Sequence, residues 1–221
     1  MSIGEKTVER ACVALGAIQG ADVAEIRLDY LNDVEPSQFI APEGVELLFT
    51  CRAGWEGGLY EGVEKKRINL FKKVIDSKAA YLDLEVASED ETKAEILAYR
   101  NSQKSLIKLI FSHHNFQETP ALEDLVAIVD VMHDQGADIG KLITTAKDSR
   151  DVLRIFTAIE YARSIDFPLI AFCMGEQGAV SRVATCDMGG YMTYCSADGL
   201  DVTAKGQMAT ATMKTLFSLY P

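Results

Sequence analysis

The absences in this chain narrow its identity first. Its five cysteines, Cys12, Cys51, Cys173, Cys186 and Cys195, are odd in number and include no C-x-x-C pair. That argues against a disulfide framework or a zinc ribbon, and for reduced thiols in the cytosol or a comparable reducing compartment. No window approaches the roughly 18 consecutive apolar residues of a membrane span, and residues 1–10 lack the apolar core of a secretory signal. A membrane is therefore not an expected partner. Positive charge is scarce, with 22 Lys and Arg against 33 Asp and Glu and a formal charge of -11. Nucleic acid is excluded as a partner on that ground, because a sequence-independent grip on phosphates needs clustered Lys and Arg. An anionic metabolite stays compatible, since a few basic side chains in one cleft outweigh a distant acidic surface. There is no G-x-G-x-x-G fingerprint and no G-x-x-x-x-G-K-[ST] loop. No repeat, low-complexity stretch or Pro/Gly-rich linker interrupts the chain, so residues 1–221 are expected to form a single domain.

What is present suits one large α/β domain: 221 residues, 48% hydrophobic and 25% charged. Short branched apolar runs predict strands at Val23 to Leu28, Val45 to Cys51, Ala80 to Glu85, Leu106 to Ser112, Ile139 to Thr144, Leu169 to Cys173 and Tyr191 to Tyr194. Amphipathic stretches between them predict helices at Thr7 to Ile18, Val63 to Ser77, Glu89 to Asn101, Ala121 to Gln135, Asp148 to Ser164 and Gly206 to Leu219, with shorter turns around Pro36 and Gln177. Such alternation defines repeated strand-helix units on a parallel sheet. The favoured architecture is a (β/α)8 TIM barrel with a truncated first strand, for which only Met1-Ser2-Ile3 remains. The alternative is an open doubly wound sheet.

In a closed barrel the chemistry gathers where strands end and their loops begin. Glu25-Ile26-Arg27-Leu28-Asp29 sets three charges on one face of the second strand by alternation, either as a self-satisfied ion cluster or as a substrate site. The third strand ends Thr50-Cys51-Arg52, followed by Trp55-Glu56-Gly57-Gly58; the fourth supplies Asp83 and Glu85; the fifth ends Ser112-His113-His114-Asn115-Phe116. Lys141 falls inside the sixth. A buried lysine loses basicity, which suits a Schiff-base nucleophile because only the neutral amine attacks a carbonyl, although a strand-end lysine also snorkels into water. Lys108, Lys147 and Lys205 compete for that role. His113 and His114 point to opposite faces of a strand and lack a third ligand, so no metal site is expected, and His133 reads as a surface residue. Arg182, after the seventh strand, suits bidentate capture of a carboxylate, although an exposed helix arginine is the commoner reading. Thr203 and Gln207 place a hydroxyl and an amide in the final loop.

In order and spacing, these segments resemble the type I 3-dehydroquinate dehydratase family. They are Glu25-Ile-Arg-Leu-Asp29, Phe49-Thr-Cys-Arg52 with Glu56-Gly-Gly58, Ser112-His-His-Asn-Phe116 with Thr119-Pro120, Gly136-Ala-Asp-Ile-Gly-Lys141, Met174-Gly175 with Ser181-Arg182, and Gly206-Gln207. The resemblance implies a (β/α)8 barrel of the shikimate pathway, usually dimeric, that works without metal or organic cofactor on 3-dehydroquinate. It also implies roles. Lys141 forms an imine with the substrate ketone, His114 is the general acid/base, and Glu56 orients that histidine. Arg182 holds the substrate carboxylate; Glu25, Arg27, Arg52 and Gln207 hold ring hydroxyls and position the lysine; Met174 and Tyr194 form apolar walls.

Departures from the family pattern are a final loop with Thr203 and Lys205 where serine and proline are usual, Tyr194 in place of phenylalanine, and the stub first strand. The wording of Trp55 to Gly62 and Gly189 to Thr193 resembles the dehydratase half of enzymes fused to shikimate dehydrogenase. A piece of such a fusion and a free-standing chain both fit. Two other functions compete: a class I aldolase, which shares barrel and lysine but commonly has a phosphate loop not found here, and a metabolite-binding barrel that has lost turnover.

Overall fold

In the computed structural model, which describes residues 1–77, 79–196 and 206–219, strands and helices alternate as the apolar periodicity predicts. Among the described residues seven strands follow one another in chain order, and the paired registers are parallel. The described chain forms two compact units, residues 1–109 with Ser196 and residues 110–195 with 206–219.

In the first unit β1 (Ser2–Ile3), β2 (Val23–Arg27), β3 (Glu46–Thr50) and β4 (Tyr81–Glu85) pair side by side. There β5 (Lys108–His114) begins, the Lys108 amide donating to the Ala80 carbonyl at 2.9 Å. The register lines up Ser2, Glu25, Leu48 and Tyr81 in one row and Arg27, Thr50 and Asp83 in the next. Because side chains alternate, Glu25, Arg27, Thr50, Asp83 and Glu85 share one face. The opposite face carries Ile26, Phe49, Leu82 and Leu84, all fully buried. Three helices, α1 (Val8–Gly16), α2 (Glu64–Asp76) and α3 (Asp90–Ser102), connect these strands. In α2, Ile68, Phe71, Val74 and Ile75 recur at helical spacing, and the helix packs on β4 and α3. Each such side chain taken out of water contributes about 1.5–3 kcal/mol.

In the second unit β5 continues into pairing with β6 (Ile139–Thr145), which pairs with β7 (Leu169–Met174). The helices here are α4 (Leu122–Asp134), α5 (Ser149–Ser164), α6 (Ala179–Ala184) and α7 (Thr210–Phe217). Ahead of α5 the Asp148 carboxylate accepts from the Arg150 amide at 2.8 Å, while Asp151 turns back to the Lys147 amide at 2.6 Å. The first bond satisfies an amide that the helix start otherwise leaves open, and the second ties the preceding loop to the first turn.

Two expectations need correction. Tyr191 to Tyr194 is not a strand. The Tyr191 amide donates to the Leu169 carbonyl at 2.8 Å, but Thr193 Oγ1 turns away to the Arg182 carbonyl at 2.7 Å, which diverts the segment toward α6. Among the described residues, Ser196 forms an isolated parallel bridge with Ser2. Finally, β2 stops at Arg27 and Asp29 lies in a 3-10 turn, Leu28–Tyr30, so alternation does not place it.

Candidate active site

The charged cluster of the first unit is built around two buried arginines. Arg52 leaves the end of β3 and divides its guanidinium: Nη2 donates to Asp83 at 2.6 Å, while Nη1 lies 3.1 Å from Glu56 and 3.2 Å from Glu85. Arg67, from α2, donates to the second oxygen of Glu85, to the Cys51 carbonyl at 3.1 Å, to Ser88 Oγ at 3.2 Å, and through a two-bond fork to Glu64. The Ala53 amide completes the shell of Glu85 at 2.9 Å. Burial acts to lower the pKa of both arginines, but the neighbouring carboxylates outweigh it and raise both above the ordinary value. Burial likewise acts to raise Glu85, and the two guanidiniums outweigh that to hold it below the usual carboxylate range. Both arginines and Glu85 are thereby held in their charged forms.

The loop carrying Glu56 has little freedom. Tyr60 N donates to the Arg52 carbonyl at 3.1 Å, Gly54 N to the Tyr60 carbonyl at 2.9 Å, and Gly58 N to the Ala53 carbonyl at 3.0 Å. Gly57, at φ 76°, ends the 3-10 turn Gly54–Glu56 in the left-handed region that glycine tolerates. Leu59 N ties the loop to Asp29 at 3.1 Å, and Asp29 in turn receives two bonds from Arg27, at 2.9 and 2.7 Å. Glu25 accepts from Thr50 Oγ1 at 2.8 Å and from Ser2 Oγ. Of the three charges on Glu25, Arg27 and Asp29, Arg27 and Asp29 pair with each other, while Glu25 is held by hydroxyls.

In the second unit the register sets Lys141 of β6 between Ser112 of β5 and Ile170 of β7. His114 is two residues beyond Ser112, so it stands on the same face as Lys141, one pleat repeat nearer the strand tips, on the adjacent strand. His113 points to the other face, and burial lowers its pKa. Lys141 is only 4% exposed, with its ammonium nitrogen 4.3 Å from the centre of the Tyr194 ring. Tyr194 lies 6.0 Å from Phe172, and the Arg182 guanidinium sits over Phe172 at 4.5 Å. Two cations are thus lined up over two aromatic faces. Burial pushes the pKa of Arg182 down to about 10, so it stays charged at neutral pH in a dry setting where an anion is bound strongly.

Local hydrogen bonds explain these placements. Asn115 takes the Gln117 and Glu118 amides on its side-chain oxygen at 3.0 and 2.9 Å, turning the chain just after His114. Ser181 Oγ accepts from the Cys173 amide at 2.8 Å and donates to the Gly178 carbonyl at 2.6 Å, which clamps α6 onto β7 and aims Arg182. Met174 ends β7, buried. Gln207 is half-buried and follows Gly206, where a Cβ would lie 3.9 Å from Arg182 Nε. Thr203 and Lys205 lie outside the described residues. His133 is exposed beside Asp134, 3.1 Å away, as a surface histidine.

The structure therefore gathers Lys141, His114, Met174, Arg182, Tyr194 and Gln207 in one unit and Glu25, Arg27, Arg52 and Glu56 in the other. Asp83 and Glu85 were legible as strand-end charges, but their common grip on Arg52 was not. Arg67 was missed altogether. Its signal was a charged residue at helical spacing with Phe71 and Val74. Among the described residues no group of three His, Cys, Asp or Glu is placed to hold a metal, and no helix is long and apolar enough to cross a membrane.

Parallel β/α units that carry charged side chains at their strand ends are the pattern of the α/β-barrel class, in which enzymes place their chemistry at those ends. The model of the type I 3-dehydroquinase family matches residues 1–220. The chain belongs to that family. It is 49% identical to the 3-dehydroquinate dehydratase of Desulfotalea psychrophila, over all of this chain and 97% of that one. It is 38% identical to the bifunctional 3-dehydroquinate dehydratase/shikimate dehydrogenase of Arabidopsis thaliana chloroplasts, over 91% of this chain and 32% of that one. The solved 3-dehydroquinate dehydratase of Geobacillus kaustophilus matches with a TM-score of 0.88 at 27% identity, covering 99% of this chain and 88% of that one. The barrel fold class expected from the sequence is the fold of these relatives.

Proposed function

We propose that this chain acts in the shikimate pathway, converting 3-dehydroquinate to 3-dehydroshikimate and water by syn elimination through an imine on Lys141. The observation that carries the proposal is the register pairing that sets His114 and buried Lys141 on one face of adjacent strands. The neutral amine adds to the C3 ketone, and loss of water leaves a protonated imine. That imine withdraws electrons from the C2–H bond. His114 takes the C2 proton; the electron pair left behind forms the new double bond as the C1 hydroxyl departs, protonated by the same imidazole. Water then hydrolyses the imine and frees the lysine.

The remaining roles follow the family's pattern. Glu56 orients His114, and its charge favours the imidazolium form. Arg182 receives the substrate carboxylate, and its buried charge gains most from doing so. Met174 and Tyr194 wall the ring; Glu25, Arg27, Arg52 and Gln207 take its hydroxyls. A homodimer, in the cytosol and without cofactor, completes the reading.

The deciding experiment is borohydride reduction with 3-dehydroquinate present, followed by intact-mass and peptide mass spectrometry. A ligand-sized gain on Lys141 is expected. Folded protein that takes up no adduct, or takes it up on another lysine, overturns the proposal.

A further inference from the structure

The loop that follows His114 is fastened to the strand that carries Lys141, and both lie within the second unit. Thr145 closes β6, four residues beyond Lys141 and, by alternation, on the same face. Each of its three polar atoms is engaged by residues 115–119. Its amide donates to the Glu118 carbonyl at 3.3 Å, its carbonyl accepts from Thr119 Oγ1 at 3.0 Å, and its hydroxyl donates to the Asn115 carbonyl at 3.0 Å. Asn115, next to His114, also donates its own amide to the Ile143 carbonyl at 2.8 Å. Strand β6 therefore grips both peptide units that flank Asn115, one through main chain and the other through the Thr145 hydroxyl. The second of these peptides leads into Phe116, whose ring lies 6.1 Å from the His114 ring and within 15° of parallel to it. Main-chain ties form whatever residue stands at position 145, but only Ser or Thr brings a hydroxyl there.

We propose that Thr145 is a positioning residue for His114: its hydroxyl fixes the peptide between Asn115 and Phe116, keeps the Phe116 ring alongside the imidazole, and so registers the histidine on the strand that bears the nucleophile. The inference rests on the elimination reading above. The imidazole has a further contact of its own, and the hydroxyl adds a hold on the chain that carries it. Proton transfer needs its heavy atoms at hydrogen-bond distance and in line, so small displacements of the imidazole fall on the chemical step more than on substrate binding. Without the hydroxyl, the half-buried Asn115 carbonyl turns to water, and the peptide and the Phe116 ring gain freedom. The fold stays, because Thr145 keeps its main-chain ties to the loop and its pairing with Met174 of β7.

The test compares wild type with Thr145→Val, which keeps size and branching but has no donor, and Thr145→Ser, which keeps the donor. The readouts are steady-state dehydration of 3-dehydroquinate, the end-point yield of borohydride trapping, and circular dichroism for folding. Thr145→Val is expected to lower kcat roughly tenfold with KM within about twofold and the trapping yield unchanged, and Thr145→Ser to return kcat to within about threefold of wild type. Thr145→Val with kcat within about threefold of wild type, Thr145→Ser as slow as Thr145→Val, or a loss confined to KM overturns the proposal. If Thr145→Val does not fold, Thr145→Ala is read by the same criteria; failure of both to fold makes the residue a support of the fold and overturns the proposal. Absence of trapped adduct in wild type refutes the imine itself, and wild-type kcat in His114→Ala refutes the choice of histidine. Both are read separately from the Thr145 ratios.

Discussion

At the scale of single residues, Lys141 and Gly58 are decisive for opposite reasons, one for the group it carries and the other for the group it lacks. Lys141→Ala should abolish turnover and leave the fold intact, since the aromatic ring it faces needs no cation to stay packed. Turnover assays and circular dichroism check this, and more than a trace of activity would move the imine to another lysine. His114→Ala should slow imine hydrolysis as well as elimination, so trapped adduct should accumulate during turnover. His113→Ala should be the milder change, because its ring lies on the opposite face of β5. At Gly58 an added Cβ would stand 2.0 Å from the Arg52 carbonyl oxygen and 2.5 Å from the Arg52 Cβ. Backbone has to move to admit it. Gly58→Ala should therefore cost about 1–3 kcal/mol by denaturant titration and also lower kcat/KM, as the shift falls on Arg52 and the Glu56 loop. Wild-type stability in that variant would show that the loop yields more readily than its hydrogen bonds suggest.

At the scale of elements, α5 depends on its entry. Asp151 is buried and gathers the Lys147 amide at 2.6 Å, the Asp148 amide at 3.4 Å and the Arg154 guanidinium, which itself reaches the Thr119 carbonyl at 2.8 Å. Asp151→Ala should destabilise the protein by about 2 kcal/mol while trapping on Lys141 proceeds to the same yield, because β6 keeps its pairing on both sides. Loss of trapping without loss of stability would tie this loop directly to the chemistry. Strands and helices with a clean period were legible in the sequence to within a few residues, as Glu64–Asp76 and Ile139–Thr145 show. Two kinds of feature were not. Position 106 looked like a strand start because it is a leucine beside an apolar run, yet it is 96% exposed and β5 begins at Lys108, which carries both histidines into the strand. The segment at Tyr191 has strand-like composition but gives Thr193 Oγ1 to α6, a tertiary bond that local pattern does not encode. Within the candidate site, Lys141 and His114 were singled out among competing lysines and histidines by the family resemblance of their segments, and strand pairing sets the two on one face of adjacent strands. The division of Arg52 among three carboxylates was not legible, because its partners come from the 3-10 turn Gly54–Glu56 and from β4 and are fixed only by packing.

At the scale of the whole molecule, the formal charge of -11 includes buried carboxylates, and Glu85 is the one whose response to acid follows from its neighbours. Burial works to raise its pKa, but Arg52 and Arg67 outweigh that and hold it below its ordinary value of 4.5. The unfolded chain therefore takes up a proton at this position at a higher pH than the native protein does. Its contribution to stability is fully present above about pH 4.5, and it is lost as pH falls through the lowered native value. The arginines do not titrate in this range, so the effect belongs to the carboxylate. Replacing Arg67 with Met alone should cost about 3–5 kcal/mol near neutral pH, since it leaves a buried charge undercompensated. The double variant Arg67→Met/Glu85→Gln should recover most of that loss and also lack the proton uptake at position 85. Urea unfolding at a series of pH values measures both quantities. The free-energy gap between wild type and the double variant should shift against wild type as pH drops from about 5 to 3. A gap that stays constant across that range would mean that Glu85 titrates alike in both states, and that the guanidiniums do no more than offset its burial.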